Sequence, residues 1–354
     1  MGGEEPRSGE GEGMSERNKP SPGPSRAGGR GEVAERLRAR ILSDGPIGVD
    51  EYMAEANAHY YATRDPLGLA GDFVTAPEIS QMFGEIVGAA LVDVWDRAGR
   101  PDEAIYAELG PGRGTLAADA LRVMRRAGFP GEAHLVETSP ALRAAQAERV
   151  CEATFHDRIE ELPPRPFLLV ANEFLDALPI MQWVGDEVRR LDFVGERFRF
   201  TIDGPIRETS PARDAAVAAL ARHLVKYGGA AIIIDYGYAA GESGDTLQAV
   251  CGHEFADLLE APGEQDLTAH VDFAALAGAA RNAGAIASRV TSQGSWLEAL
   301  GIGPRASALA AKNPVQAEAI GAARRRLCDE AEMGRLFKVM ALAAPGWPLP
   351  AGLE

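Results

Sequence analysis

The feature that most constrains this chain is one seven-residue loop, Glu108-Leu109-Gly110-Pro111-Gly112-Arg113-Gly114. It follows an apolar run, Ile105 to Leu109, that reads as a strand. It precedes Thr115 to Ala127, where Leu116, Ala120, Val123, Met124 and Ala127 share one helical face. Small residues in a strand-to-helix turn let a ligand approach the backbone, and the helix start offers unpaired N–H groups. A dinucleotide cofactor uses such a turn for its pyrophosphate, with the spacing Gly-x-Gly-x-x-Gly. Here the third glycine comes one residue early, and an acid, Glu108, precedes the first. A carboxylate beside a pyrophosphate is unfavourable, which argues against a nicotinamide-dependent dehydrogenase.

The alternation continues downstream. His134 to Val136 is a second strand ending at Glu137, and Ser139-Pro140 opens a helix to about Val150, with proline at its first position. A third strand is expected at Ala153 to Phe155 and a fourth at Phe167 to Ala171, ending at Asn172-Glu173. Val188 to Val194 and Arg197 to Ile202 flank Gly195-Glu196 and predict a β-hairpin. Ser210-Pro211 opens a helix that stops at Gly228-Gly229, and Ala230 to Ile234 is a buried strand ending at Asp235-Tyr236. Val271 to Ala283 reads as a helix, Ala285 to Val290 as a strand, and Leu336 to Leu342 as a last strand. Upstream, Val33 to Leu42 is amphipathic, and one helical stripe runs from Ile79 through Phe83, Val87 and Leu91 to Trp95. Thr75 is its expected cap, with Glu78 reaching back in a capping box. Strands alternating with helices predict an α/β fold with a mainly parallel sheet.

In such sheets ligands sit beyond the carboxyl ends of the strands. Glu108, Glu137, His156-Asp157, Asn172-Glu173 and Asp235-Tyr236 should therefore converge on one crevice. S-adenosylmethionine has no phosphate and carries an ammonium and a sulfonium, so it suits Glu108. Gly110, Pro111, Gly112, Gly114 and Thr115 would form its loop and helix start. Glu137 can accept both ribose hydroxyls, and His156 and Asp157 would lie near an adenine. Asn172 faces the methyl-transfer position, or simply caps its loop. Glu173 and Asp176, three residues apart, can hold a cationic acceptor, with Asp72 and Asp235 behind them. Tyr60, Tyr61 and His270 either line an acceptor channel or pack in the core.

Composition narrows the rest. The chain has 354 residues, a net charge of −16 and 46% hydrophobic residues. That charge repels nucleic-acid phosphates and anionic membranes, and no apolar run approaches the roughly 18 residues of a membrane helix. Cys151, Cys251 and Cys328 are far apart and suggest a reducing compartment. The histidines and cysteines show no metal-ligand spacing, so no metal is expected. The segment before Gly31 is rich in Gly, Pro, Ser, Arg and Glu and reads as a disordered tail. Its acids, Glu4, Glu5, Glu10, Glu12 and Glu16, argue against a mitochondrial presequence. The Ala, Gly and Arg usage resembles a bacterial chain, with the cytoplasm as default. Residues 31–354 are expected to form a single domain, with an inserted hairpin near 183–203 and a helical insertion near 295–332.

Several stretches together resemble the MidA-type methyltransferases, a family that includes a mitochondrial complex I assembly factor that methylates an arginine. They are Tyr60-Tyr61, Gly71 to Glu85, Glu108 to Leu116, Glu137-Thr138-Ser139, Asn172 to Pro179, Ile234 to Gly237, Asp266 to Phe273 and Met333 to Val339. The likeness spans roughly Ile47 to Ala344. It departs at Ala58-His59, where the family more often has a glycine, and in the tail. The resemblance implies a Rossmann-like class I methyltransferase sheet with helices on both faces, plus N-terminal and inserted helical and hairpin elements. It implies S-adenosylmethionine as cofactor and a protein with an exposed arginine as partner, a respiratory complex I subunit by analogy. A non-catalytic assembly protein that keeps the pocket, and a small-molecule methyltransferase, remain open alternatives, because a fold does not fix an acceptor.

Overall fold

Side chains alternate across a strand, so strands that are apolar at every position must be covered on both faces. The computed structural model, which describes residues 31–63, 75–240 and 244–354, has that arrangement. Strands β1 (Ile105–Leu109), β2 (Ala133–Val136), β3 (Thr154–His156), β4 (Phe167–Asn172) and β5 (Gly229–Tyr238) are parallel, in the order β3-β2-β1-β4-β5. Strand β6 (Phe337–Ala343) runs antiparallel beside β5, and Ile286–Ala287 pairs with its far edge.

The helices are α1 (Glu32–Asp44), α2 (Val49–Thr63), α3 (Ala76–Ile79), α4 (Gln81–Arg97), α5 (Thr115–Arg126), α6 (Pro140–Arg149), α7 (Pro211–Tyr227) and α8 (Phe273–Asn282). Helices Gln293–Ala299, Ile302–Lys312 and Ala317–Cys328 follow. The alternation of the strands decides which helix meets which residue. Tyr106, Val170, Ile232 and Val339 pack with α4, α5 and the late helices, while Ala107, Leu169, Ile233 and Met340 pack with α7 and α8. A third core joins α1 and α2 to Ile180, Leu191, Leu247 and Leu267, beside the carboxyl end of the sheet.

The structure corrects four local expectations. The stripe from Ile79 to Trp95 is broken at Ser80, whose extended backbone (φ −164°, ψ 139°) ends α3 and whose Oγ accepts from Met82 N to cap α4. Thr75 makes no side-chain cap, and Glu78 accepts a hydrogen bond from Thr115 instead of its own helix start. Val271–Asp272 is a short strand beside β5, and Asp272 caps α8 by accepting from Ala274 N and Ala275 N. The strand expected at Ala285 to Val290 shrinks to Ile286–Ala287, because Ser288 Oγ takes the Ala341 N–H and interrupts the ladder. The hairpin forms between Arg190–Val194 and Arg197–Phe200, and Ile47–Gly48 pairs with its first strand. Helix α2 and the small sheet of Gln248–Cys251, Glu254–Ala256 and Asp266–Thr268 were not anticipated.

Candidate active site

A cavity of about 880 Å³ lies beyond the carboxyl ends of β1, β2 and β4 and is closed on one side by α2 and α3. Its loop comes from β1. Gly110 and Gly112 lie in the left-handed region (φ 58° and 53°) and turn bare backbone toward the cavity, with Pro111 between them. Gly114 (φ 80°) is off the cavity. A Cβ there would come within 3.3 Å of Gln146 Cα, so this glycine lets α5 close on α6.

Glu108 ends β1 inside this wall, 2% exposed, and accepts from Tyr106 Oη at 2.5 Å. Burial pushes its carboxyl up to about 8, against the hydrogen bond from Tyr106. Glu137 follows β2 directly and accepts from Ser139 N at 2.8 Å and Gln146 Nε2 at 3.3 Å. Burial raises its carboxyl as well. Asp157 stands at the mouth, paired with Arg143 at 2.6 Å. His156 does not line the cavity, because its Nε2 lies 2.9 Å from His134 Nδ1 and the two rings stack.

The other end is built from the loop after β4. Asn172 Nδ2 donates to Glu173 Oε1 at 3.1 Å, while Asn172 Oδ1 is buried without a hydrogen-bond partner among the described residues. Glu173 has φ 50°, a conformation that costs a non-glycine residue on the order of 1 kcal/mol or more. The Ala76 N–H donates to the same carboxylate oxygen at 3.2 Å. Burial, and then the neighbouring Asp176, push Glu173 up to about 7. Asp176 is raised by burial too, against a hydrogen bond from the Tyr236 hydroxyl. Tyr61 Oη donates to Asp266 Oδ1 at 2.7 Å, across the same space.

Other expected site residues sit elsewhere. Asp235 is 1% exposed and off the cavity, because its Oδ2 accepts from Leu175 N (3.0 Å) and Asp176 N (3.2 Å) and its Oδ1 from Tyr236 N. It holds the β4 loop to β5. Tyr60 is fully buried behind Tyr61, ring edge to ring face at 5.2 Å. His270 packs edge-on against Tyr236, and its backbone N–H donates to Thr246 Oγ1. Asp72 lies outside the described residues.

Several residues escaped the sequence reading. Glu78, Asp266, Thr268 and Asn57 all line the cavity. Arg213 fastens the loop from behind, donating to the carbonyls of Leu175, Asp176, Ala269 and His270 at 2.6–2.9 Å. Its signal was legible, since it falls one turn before Val217 on the apolar stripe of α7. Among the described residues no cluster of His, Cys, Asp and Glu could hold a metal, and no helix is long and apolar enough to cross a membrane.

The donor set suits a cationic ligand without phosphate. Glycine backbone is open to it, an orphaned amide oxygen awaits a donor, and carboxylates line both ends, Glu108 and Asp176 buried and Glu137 and Glu173 half-buried. Residues 86–195 and 186–291 match the family described as "Putative S-adenosyl-L-methionine-dependent methyltransferase". A relative named "Protein arginine methyltransferase NDUFAF7 homolog, mitochondrial" from Drosophila melanogaster is 37% identical over 89% of this chain and 85% of its own. The Homo sapiens protein named "Protein arginine methyltransferase NDUFAF7, mitochondrial" is 31% identical over 88% and 83%. The crystal structure of a superfamily member from Burkholderia thailandensis, bound to S-adenosyl-homocysteine, superposes with a TM-score of 0.81 at 28% identity, covering 91% of this chain and 93% of the other. The chain therefore belongs to the MidA-type family of class I methyltransferases, with S-adenosylmethionine as its cofactor.

Proposed function

We propose that this methyltransferase modifies an arginine side chain of a protein. The observation that carries the reading is the pair Glu173, half-buried, and Asp176, buried, which both line the cavity wall. Both accept hydrogen bonds from neutral groups, Glu173 from Ala76 N and Asn172 Nδ2, Asp176 from Ala177 N and the Tyr236 hydroxyl. The nearby cation, Arg213, gives its hydrogen bonds to backbone carbonyls. The hydrogen bonds to the two carboxylates from these described residues thus come from neutral groups, which suits them to an incoming guanidinium that they can hold bidentately. The names of the relatives support the same acceptor.

Bound S-adenosylmethionine supplies a methyl group on a sulfonium for in-line displacement. The protein's part is to align the nucleophile and exclude water. Glu173 and Asp176 stabilise charge on the guanidinium nitrogens that are not methylated. Glu173, poised near 7 by burial, can take the proton the methylated nitrogen must lose. Glu137 takes the ribose hydroxyls and Asp157 the adenine amino group, while Gly110, Pro111, Gly112 and Thr115 border the amino-acid half. Asn172 Oδ1 offers a further acceptor to the cofactor. Tyr61 borders the acceptor channel, and Asp72 stays an acceptor-side candidate. The reading assigns residues 31–354 to one catalytic domain in a bacterial cytoplasm, and takes a respiratory complex I subunit as the first acceptor to try.

The test is mass spectrometry of such subunits after incubation with protein and cofactor. Glu173→Gln and Asp176→Asn should each lower arginine methylation by about a hundredfold while the cofactor Kd stays near wild type. Full turnover in both variants, or methyl groups found only on a small molecule, refutes the assignment.

A further inference from the structure

The carboxyl ends of the strands set an order across the cavity: Asp157 after β3, Glu137 after β2, the glycine loop after β1, then Glu173 after β4. A cofactor with its ribose at Glu137 and its adenine toward Asp157 sends its amino-acid end the other way. That end passes over Gly110 and Gly112 toward Thr115, Glu78 and Glu173. It is a zwitterion. Its carboxylate suits the unpaired N–H groups that open α5, and its ammonium needs an anion beside them.

Glu78 stands there. It lines the cavity together with Thr75, Pro77 and Thr115. Thr115 Oγ1, on the first residue of α5, donates to Glu78 Oε1 at 2.5 Å and fixes the carboxylate against the helix start. Glu108 lies deeper, at the end of β1 and engaged by Tyr106. We propose that Glu78 binds the α-ammonium group of S-adenosylmethionine. The same turn, α3, donates the Ala76 N–H to Glu173. One short element thereby holds the cofactor's amino end and the carboxylate that faces the acceptor.

The experiment is calorimetric titration of the full chain with two ligands. S-adenosylhomocysteine has the amino-acid end, and 5′-methylthioadenosine has the nucleoside and thioether without it. Glu78→Gln keeps an oxygen for Thr115 and loses the charge. It is expected to weaken S-adenosylhomocysteine roughly tenfold or more and to leave 5′-methylthioadenosine within about twofold of wild type. Glu78→Asp, which keeps the charge on a shorter stem, should fall between wild type and Glu78→Gln for the first ligand. Equal weakening of both ligands, no weakening of either, or a loss in Glu78→Asp as large as in Glu78→Gln overturns the proposal. Failure of the wild-type chain to bind S-adenosylhomocysteine would instead strike at the cofactor itself. All of these results are independent of the methyl acceptor.

Discussion

Glu108 should make the empty protein less stable in order to make cofactor binding stronger. Its carboxyl is held at about 8 in the folded chain by burial, against an ordinary value of 4.5. A carboxyl raised on folding costs nothing below its unfolded pKa. The cost grows as pH rises from there and levels off above the folded pKa. At about 1.36 kcal/mol for each tenfold difference in proton affinity, ionising Glu108 costs roughly 3 kcal/mol at pH 7 and about 5 kcal/mol above pH 8. Glu108→Gln is neutral throughout and still offers an oxygen to Tyr106 Oη. The variant should therefore melt near the wild type at pH 5 and several degrees above it at pH 8.5. A cationic ligand favours the ionised carboxylate, so cofactor binding to the wild type should expel a proton, roughly nine-tenths of one at pH 7. Calorimetry in buffers of different ionisation enthalpy reads that proton directly, and cofactor affinity should rise with pH until about 8. Glu108→Gln should bind more weakly, with little dependence on pH. A melting difference that is the same at pH 5 and pH 8.5, together with heats independent of buffer, refutes the reasoning.

Two further substitutions probe the frame around the site. Gly110→Val places a branched side chain where φ is +58° and where even a Cβ comes within 2.9 Å of the Phe174 ring; a chain still folded by circular dichroism should lose at least tenfold in cofactor affinity, and unchanged affinity would contradict the approach of ligand to backbone at this glycine. Arg213→Leu removes a charged donor from four carbonyls, of which Leu175 and Asp176 keep a backbone N–H, and takes away the cation beside Asp176 and Asp235, so unfolding in urea should show a loss of about 3–5 kcal/mol; a loss under about 1 kcal/mol would mean the loop is held by other contacts.

The glycine loop, the strand before it and the acid at the end of the next strand were legible because each depends on neighbours in sequence. A strand reveals itself by apolar runs, and a tight approach by glycine. The boundaries of β1, β2, β4 and β6 accordingly fall within a residue or two of expectation for the same reason, while β5 extends well past it. Misjudged placements share another cause. Asp235 and Glu173 were both expected just after strands, yet Asp235 lies within β5 and turns inward to cap amide groups of the β4 loop, while Glu173 follows β4 and faces the cavity. Tyr60 and Tyr61 are adjacent on α2, and a rotation of about 100° separates them. That rotation buries one and brings the other to Asp266, 205 residues away.

What the sequence by itself determined is the α/β class, the order of the central elements and the position of the cofactor loop, since periodicity and backbone freedom are local properties. What only the tertiary structure decided is the choice of partners. Glu78 had a sound local option in a capping box and took Thr115 instead, because extended Ser80 ended its helix after four residues and the packed start of α5 presented a hydroxyl. Burial decided the rest. Identical carboxyls are ordinary acids in water, and only enclosure by distant segments raises Glu108 and Glu173 toward neutrality, where a cationic ligand or a departing proton can use them.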